Sequence, residues 1–351
     1  MASGSPEDPL RYRPLPQTGR ARPPGALPLA GGWCWFDRVE VLRRGQPPAF
    51  LAATDLPDAV LHRLTAPRPA VMGLCMDRPR VMGILNVTPD SFSDGGAYLA
   101  RELALAHARA MLAAGAEIVD VGGESTRPGA AAVPSEEEMD RVLAVVSALA
   151  PMTAVSIDSR KAAVAAAALS AGARMVNDVS ALAFDPEMAA VVAASDAPVC
   201  LMHARGTPET MQRQISYDDL LLAVYDFLEE RLAAAEAAGI PRDRVVLDAG
   251  IGFAKTAAQN VMLIRNMALF HGLGCPLLLG ASRKRFIGLI GSDGDGSGAP
   301  RARVPGSVAA ALAGVAQGVQ ILRVHDVDPT VQALRLWCAA SGAVEVKEGG
   351  A

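Results

Sequence analysis

From Val81 onward the chain repeats one arrangement eight times: a short apolar run, then an alanine-rich segment of helical character. The runs are Val81 to Leu85, Ile118 to Val121, Ala154 to Ile157, Met175-Val176, Val199 to Met202, Val245 to Leu247, Leu277 to Leu279 and Gln320 to Leu322. Strands this short that are apolar on both faces belong in a parallel sheet covered by helices. Helical character is clearest in Ala100 to Ala114 and Asp218 to Ala238, the second stopped by Gly239-Ile240-Pro241. Eight βα units over some 260 residues predict a TIM (β/α)8 barrel, with a doubly wound sheet as the alternative. Aromatics make up only 4% of residues, so small aliphatic side chains must fill the core.

The barrel is expected to span 79–342, after an N-terminal extension of 1–78 and before a tail of 343–351. Met1 to Pro24 is polar and proline-rich, which predicts disorder and lacks the apolar stretch of a signal peptide. Trp33 to Phe36 and Val39 to Leu42 predict two short strands with a turn near Arg43-Arg44-Gly45-Gln46, a β-hairpin expected to cover the bottom of the barrel. Gly291 to Ala302 reads as a disordered Gly/Asp-rich loop. The long uncharged stretch Val304 to Leu322 contains Pro305, Gly306, Gln317 and Gln320, and reads as a buried helix running into a strand, not as a membrane span. A net charge of -4 without a basic stripe argues against nucleic acid as a partner. Five scattered cysteines without a C-x-x-C pair suit a reducing compartment, so the expected location is cytoplasmic.

Nearly every apolar run ends on a residue that a buried strand should not want: Asn86, Asp120, Asp158, Asn177-Asp178, His203, Asp248, Ser282-Arg283-Lys284, and Arg323 with His325. Asp and Asn are good helix caps, which accounts for any one of them. Eight such positions carrying both carboxylates and cations are better explained by a site, because the C-terminal ends of barrel strands meet at one mouth. Arg323, His325, Lys284 and Asn86 offer donors and positive charge suited to phosphate or pyrophosphate. Asp158, Asn177 and Asp248 suit a flat heterocycle bearing amino and ring N–H groups. The combination points to a pterin or purine phosphate ester. Two loops on the same face, Asp90 to Gly96 and Gly122 to Gly129, are rich in Gly and Ser and read as lids.

The residues resemble the dihydropteroate synthases of the pterin-binding barrel superfamily, in unbroken order from Arg80 to Ala340. The segments carrying the resemblance are VMGILNVTPDSFSDGG from Val81, GAEIVDVGGESTRPGA from Gly115, VSIDSRK from Val155 and ARMVNDVSAL from Ala173. They continue with LMHARGTPETMQ from Leu201, VVLDAGIGFAKT from Val245, LLLGASRKRFIG from Leu277 and VPGSVAAALAGVAQGVQILRVHDV from Val304. The resemblance implies displacement of pyrophosphate from 6-hydroxymethyl-7,8-dihydropterin diphosphate by the amine of 4-aminobenzoate, assisted by Mg2+. It implies pterin contacts at Asp120, Asp158, Asn177, Asp248, Lys284 and Arg323, with Asp158, Lys284 and Arg323 catalytic. The pyrophosphate falls to Asn86, Asp94, Arg323 and His325, and the metal to Asn86. Aminobenzoate falls to Phe92, Thr126, Arg127, Pro128, Phe253 and Ser282. The resemblance also implies a homodimer and sensitivity to sulfonamides. No covalent nucleophile stands out, and nothing near Ser282 in the sequence activates it.

The chain departs from the family pattern in places. Asp248-Ala249-Gly250 replaces the usual Asp-Pro-Gly, which should change loop stiffness while keeping the carboxylate. Ile251 stands where an aromatic is common, Ser282-Arg283-Lys284-Arg285 adds a cation, and Ile157-Asp158-Ser159 is a mild change. None removes a matched functional group. The alternatives are an inactive pterin-binding paralogue and a methyltetrahydrofolate:corrinoid methyltransferase, which would have no use for a pyrophosphate site.

Overall fold

The computed structural model describes residues 8–87, 96–125, 132–206, 210, 214–291 and 298–342. The extension comes first: β1 (Arg11–Pro14), β2 (Leu27–Pro28), β3 (Trp35–Phe36), β4 (Arg38–Leu42), β5 (Ala49–Ala52) and α1 (Asp58–Thr65). The βα repeat follows as β6 (Arg80–Asn86), α2 (Gly96–Ala113), β7 (Ile118–Gly122), α3 (Ser135–Leu149), β8 (Ala154–Asp158), α4 (Ala162–Ser170), β9 (Met175–Asp178) and α5 (Met188–Ala193). It continues with β10 (Val199–Met202), α6 (Leu220–Ala237), β11 (Val245–Asp248), α7 (Ala257–Arg265), β12 (Leu277–Leu279), α8 (Arg285–Gly291), α9 (Val304–Val315), β13 (Ile321–Val324) and α10 (Val327–Ala340).

Strands β6 to β13 are all parallel and pair in sequence order, and β13 pairs back onto β6 to close the barrel. The doubly wound alternative is thereby excluded. Outward residues such as Val119, Val155, Val176, Leu201, Leu247 and Leu279 join one core with the surrounding helices. Inward positions form a separate layer to which each barrel strand gives one residue: Met82, Ile118, Ala154, Met175, Cys200, Val246, Leu278 and Ile321. Side chains alternate faces along a strand, so the next inward positions lie two residues further on. Those positions include Asp120, Ser156, Asn177, Asp248, Gly280 and Arg323, and two further on Asp158, Ser282 and His325. The period that buries the apolar layer therefore also aims the polar residues into the mouth above it.

The extension differs from expectation in its pairing. Residues 8–24 are not all without structure, since β1 pairs antiparallel with β4. The two anticipated strands exist but do not pair with each other: β3 pairs with β2, and β4 forms the hairpin with β5 around Arg43–Gln46. Asp37 alone separates β3 from β4, too little chain for a turn between them. The hairpin does not close the bottom of the barrel. Val71, Met72 and Met76 do so, packing under the inward layer. The sheet instead docks on the barrel's flank, where Arg11 lies over the Tyr225 ring and pairs with Asp226 at 2.9 Å and Glu229 at 2.6 Å. Trp33 Nε1 donates to Val315 O at 2.9 Å. Val304 to Leu322 is a buried-faced helix leading into β13, as read, and no described helix is long and apolar enough to cross a membrane. Of the expected loop Gly291 to Ala302, residues 292–297 lie outside the described residues, and Pro300–Arg303 forms a 3-10 turn.

Candidate active site

Arg323, on β13, reaches across the mouth to two carboxylates. Its Nε donates to Asp120 Oδ2 at 2.6 Å and its Nη2 to Asp158 Oδ2 at 2.5 Å. Asn177 Nδ2 donates to the same Asp120 oxygen at 3.0 Å. The remaining oxygens, Asp120 Oδ1 and Asp158 Oδ1, are buried with no hydrogen-bond partner. A buried carboxylate oxygen without a donor is costly, so both are acceptor positions for a ligand that brings N–H groups. Glycine keeps the space open above: a Cβ on Gly122 would lie 3.4 Å from Asp158 Cβ, and one on Gly280 would lie 3.8 Å from Asp248 Oδ2.

The electrostatics follow from burial. Burial pushes the Asp158 carboxyl up to about 7, Arg323 opposes this, and Asp120 adds to it. Asp248 is also raised by burial, with Lys284 and a bond from Gly250 N at 2.8 Å working the other way. Burial lowers Lys284 to about 8, with Asp248 holding it up. Lys284 Nζ donates to Ile251 O and sits 4.3 Å from the Phe253 ring centroid. Arg323 is raised, because its two carboxylates outweigh its own burial. The mouth is thus a set of mutually compensating buried charges with acceptors left over.

Ser282 and His325 meet at the end of β12 and β13, where His325 N donates to Ser282 Oγ at 3.1 Å and His325 Nδ1 lies 3.1 Å from the same oxygen. The sequence reading that Ser282 has no base beside it is corrected here. The imidazole comes from 43 residues further along the chain, on the adjacent strand. Arg283, in a left-handed conformation at φ 58°, turns away to pair with Asp326 at 2.8 and 2.5 Å. Asn86 ends β6 beside Gly122 in register and is half-buried. Phe92, Asp94, Thr126, Arg127 and Pro128 lie outside the described residues.

Two strand-end residues are not in the mouth. Asp178 folds back on its own turn, accepting from Ser180 N at 2.8 Å, Ser180 Oγ at 2.6 Å and Leu182 N at 2.7 Å. His203 is buried beneath the loop after β11, where Lys255 Nζ lies 2.9 Å from its Nδ1. Sequence reasoning passed over Lys255, though a lysine within the glycine-rich segment after Asp248 was a signal. It also passed over Glu124, whose Oε1 accepts from Val133 N at 3.1 Å while Lys161 donates to Val133 O at 2.7 Å, tying together the stems of the Gly122–Val133 loop. Lys161 completes that tie by pairing with Glu124 at 3.1 Å and Glu138 at 2.5 Å.

Residues 82–325 match the pterin binding enzyme family. The dihydropteroate synthase of Escherichia coli K12 is 45% identical over 276 residues, covering 96% of that protein and 78% of this chain. The chain belongs to the dihydropteroate synthase family. Among solved dihydropteroate synthases, the Xanthomonas albilineans enzyme with 4-aminobenzoic acid superposes with a TM-score of 0.73 at 47% identity, covering all of that chain and 80% of this one. The same organism's enzyme in complex with 7,8-dihydropteroate gives 0.70 at 45%, covering all of that chain and 79% of this one. These dihydropteroate synthases are matched almost end to end, and about a fifth of the present chain lies outside each match.

Proposed function

We propose that the barrel mouth joins 6-hydroxymethyl-7,8-dihydropterin diphosphate to 4-aminobenzoate, giving 7,8-dihydropteroate and pyrophosphate. Dihydropteroate synthase activity follows from family membership at this identity. The observation that carries the assignment of the mouth is the pair of buried, donor-free oxygens on Asp120 and Asp158 beside Arg323. The pterin ring's amino and N–H groups supply the missing donors, with Asn177, Asp248 and Lys284 completing its edge. On binding, the ring takes over acceptors that Arg323 now uses, which frees the guanidinium to face the ring and the diphosphate. Departure of pyrophosphate leaves positive charge on the pterin methylene, which the Asp158 carboxylate stabilises, while Arg323 and His325 stabilise the leaving anion. The arylamine attacks as a neutral nucleophile and then sheds one N–H proton to the released pyrophosphate or to water, so neither a general base at the moment of attack nor a covalent intermediate is needed. Ser282 Oγ then serves to hold His325 and to border the aminobenzoate pocket with Phe253, Phe92, Thr126, Arg127 and Pro128.

Mg2+ fits the donor set as a substrate-borne ion. The described residues hold no cluster of three or more His, Cys, Asp or Glu that could cage a metal. Asn86 offers one amide oxygen, and Mg2+ commonly takes its other ligands from phosphate and water. Asn86, with Asp94, would hold the ion, whose chemistry is to neutralise charge on the diphosphate. We also propose a homodimer, supported by exposed Val261 and Met262 on α7 and Leu289 and Ile290 on the adjacent α8. The exposed, unpaired Cys75 supports a reducing, cytoplasmic setting.

Purified protein supplied with the pterin diphosphate, Mg2+ and 4-aminobenzoate tests the reading. Pyrophosphate release that requires aminobenzoate and yields dihydropteroate is expected. Tight pterin binding without release would overturn it in favour of a non-catalytic pterin binder.

A further inference from the structure

The loop joining β11 to α7 carries both Ile251, whose carbonyl receives Lys284, and Phe253, whose ring faces the same lysine. Its backbone is strained. Gly250 and Gly252 have φ of 68° and 85°, and Ala254, which is not glycine, has φ 49°. Left-handed backbone at a residue with a Cβ persists only where the surroundings over-determine it. At Gly250 the loop passes so close to β10 that a Cβ would lie 1.8 Å from His203 O. The family's proline is Ala249 here, so ring stiffness at that point is missing.

Asp248 accepts from Gly250 N at 2.8 Å, Asn260 accepts from Gly252 N at 2.6 Å and Tyr217 donates to Ala254 O at 3.1 Å, but one buried side chain ties the loop's two ends to each other and to His203. Lys255 is 5% exposed, and its Nζ is 2.9 Å from Gly250 O, 3.0 Å from Phe253 O and 2.9 Å from His203 Nδ1. Burial lowers the Lys255 amine to about 7, with Asp248 holding it up, and in its ammonium form it has three protons for these three acceptors. The imidazole can accept because burial, then the charge of Lys255, drive its pKa down to about 2 and keep it neutral. The two carbonyls bracket Ile251 and Phe253. Lys255 is not required to start α7, which has its own capping box between Thr256 and Gln259.

We infer that Lys255 is a positioning residue for the aminobenzoate pocket: by bonding Gly250 O, Phe253 O and His203 from behind, it fixes where the Phe253 ring stands. This rests on the dihydropteroate synthase reading above. Of the pterin contacts, Asp120, Asp158 and Asn177 lie on strands away from the loop, and only Asp248, through Gly250 N, and Lys284, through Ile251 O, touch it, so aminobenzoate should feel a loss of Lys255 more than pterin does.

The test is steady-state pyrophosphate release by wild type, Lys255→Met, Lys255→Gln, Phe253→Ala and the Lys255→Met/Phe253→Ala double variant, below each protein's unfolding temperature. The expected result for Lys255→Met is an aminobenzoate KM raised about tenfold or more, with the pterin diphosphate KM within about threefold. Lys255→Gln, which keeps two donors, should fall between it and wild type. The double variant should be no worse than about threefold beyond the poorer single one, because both act on one ring. Wild-type KM values in Lys255→Met, equal rises for both substrates, or fully multiplicative effects with Phe253→Ala would overturn the inference. So would failure of both Lys255 variants to fold, which would assign the residue to stability alone. Absence of aminobenzoate-dependent release by wild type would instead strike the functional reading.

Discussion

Replacing Asp158 by asparagine should cripple the enzyme and stabilise it. Burial, only partly offset by Arg323, lifts this carboxyl from 3.8 to about 7. A rise of about three units at ~1.4 kcal/mol each puts a ceiling near 4 kcal/mol on the stability lost when it ionises in the fold. Because the folded value lies above the unfolded one, the neutral acid stabilises fully below pH about 4, and that contribution is lost as pH rises through 7. Asparagine resembles the neutral acid, keeps an acceptor for Arg323 and cannot ionise. At pH 8, Asp158→Asn should therefore be about 1 to 4 kcal/mol more stable. For a chain of 351 residues, at an unfolding entropy of ~2.1 cal/mol/K per residue, that is a melting temperature higher by about 1 to 6 °C. The gain should shrink by more than half at pH 5. Turnover should drop by about a hundredfold or more, since the variant has no charge to face the developing cation. Scanning calorimetry at the two pH values and pyrophosphate release measure both sides. A lower melting temperature at pH 8 would refute the burial argument, and near-normal kcat would refute the catalytic one.

Sulfonamides, which imitate 4-aminobenzoate, should compete with it and not with the pterin diphosphate; noncompetitive inhibition would remove Phe253 and Ser282 from that pocket. Because burial sets Lys284 near 8, pterin diphosphate affinity measured by calorimetry should fall by up to about tenfold per pH unit above that value as the charge is lost. Lys284→Met should bind weakly without that pH dependence, and an identical slope in the variant would show that another group titrates. Met76→Ala, at the sealed bottom of the barrel where Met76 is 2% exposed, should cost roughly 2 to 5 kcal/mol of stability. Its KM values should stay within about twofold, and a larger shift would mean that the plug reaches the mouth.

The barrel and most of the described mouth were legible because one period of two residues governs both. Once Met82, Ile118 and Ile321 face inward, Asp120 and Arg323 must do so one step higher. What misled was counting every polar strand end toward the mouth, when the same rule turns Asp178 and His203, one step past inward Asn177 and Met202, outward. Asp178 satisfies itself on its own turn, and His203 is covered by the loop after β11. Lys255 stands out as a lysine in a glycine-rich segment, but its role was not legible, because its long side chain runs backward under its own loop, which spacing does not reveal. In the extension, β4 could be read from Val39-Glu40-Val41-Leu42, but its partner β1 lies nearly thirty residues earlier, in a segment whose polar, proline-rich composition suggested disorder. Pairing at that distance leaves no local pattern.

The seal at the bottom of the barrel sets a timetable for making the protein. Val71, Met72 and Met76 leave the ribosome before any barrel strand, yet they are covered only when strands up to Ile321 surround them. Trp33 likewise awaits Val315. At about 5 to 20 residues per second, the roughly 240 residues in between take some 12 to 50 seconds to synthesise. Throughout that interval the first-made apolar side chains have no finished surface to rest on, so nascent chains of this enzyme should depend on chaperones that bind early and release late.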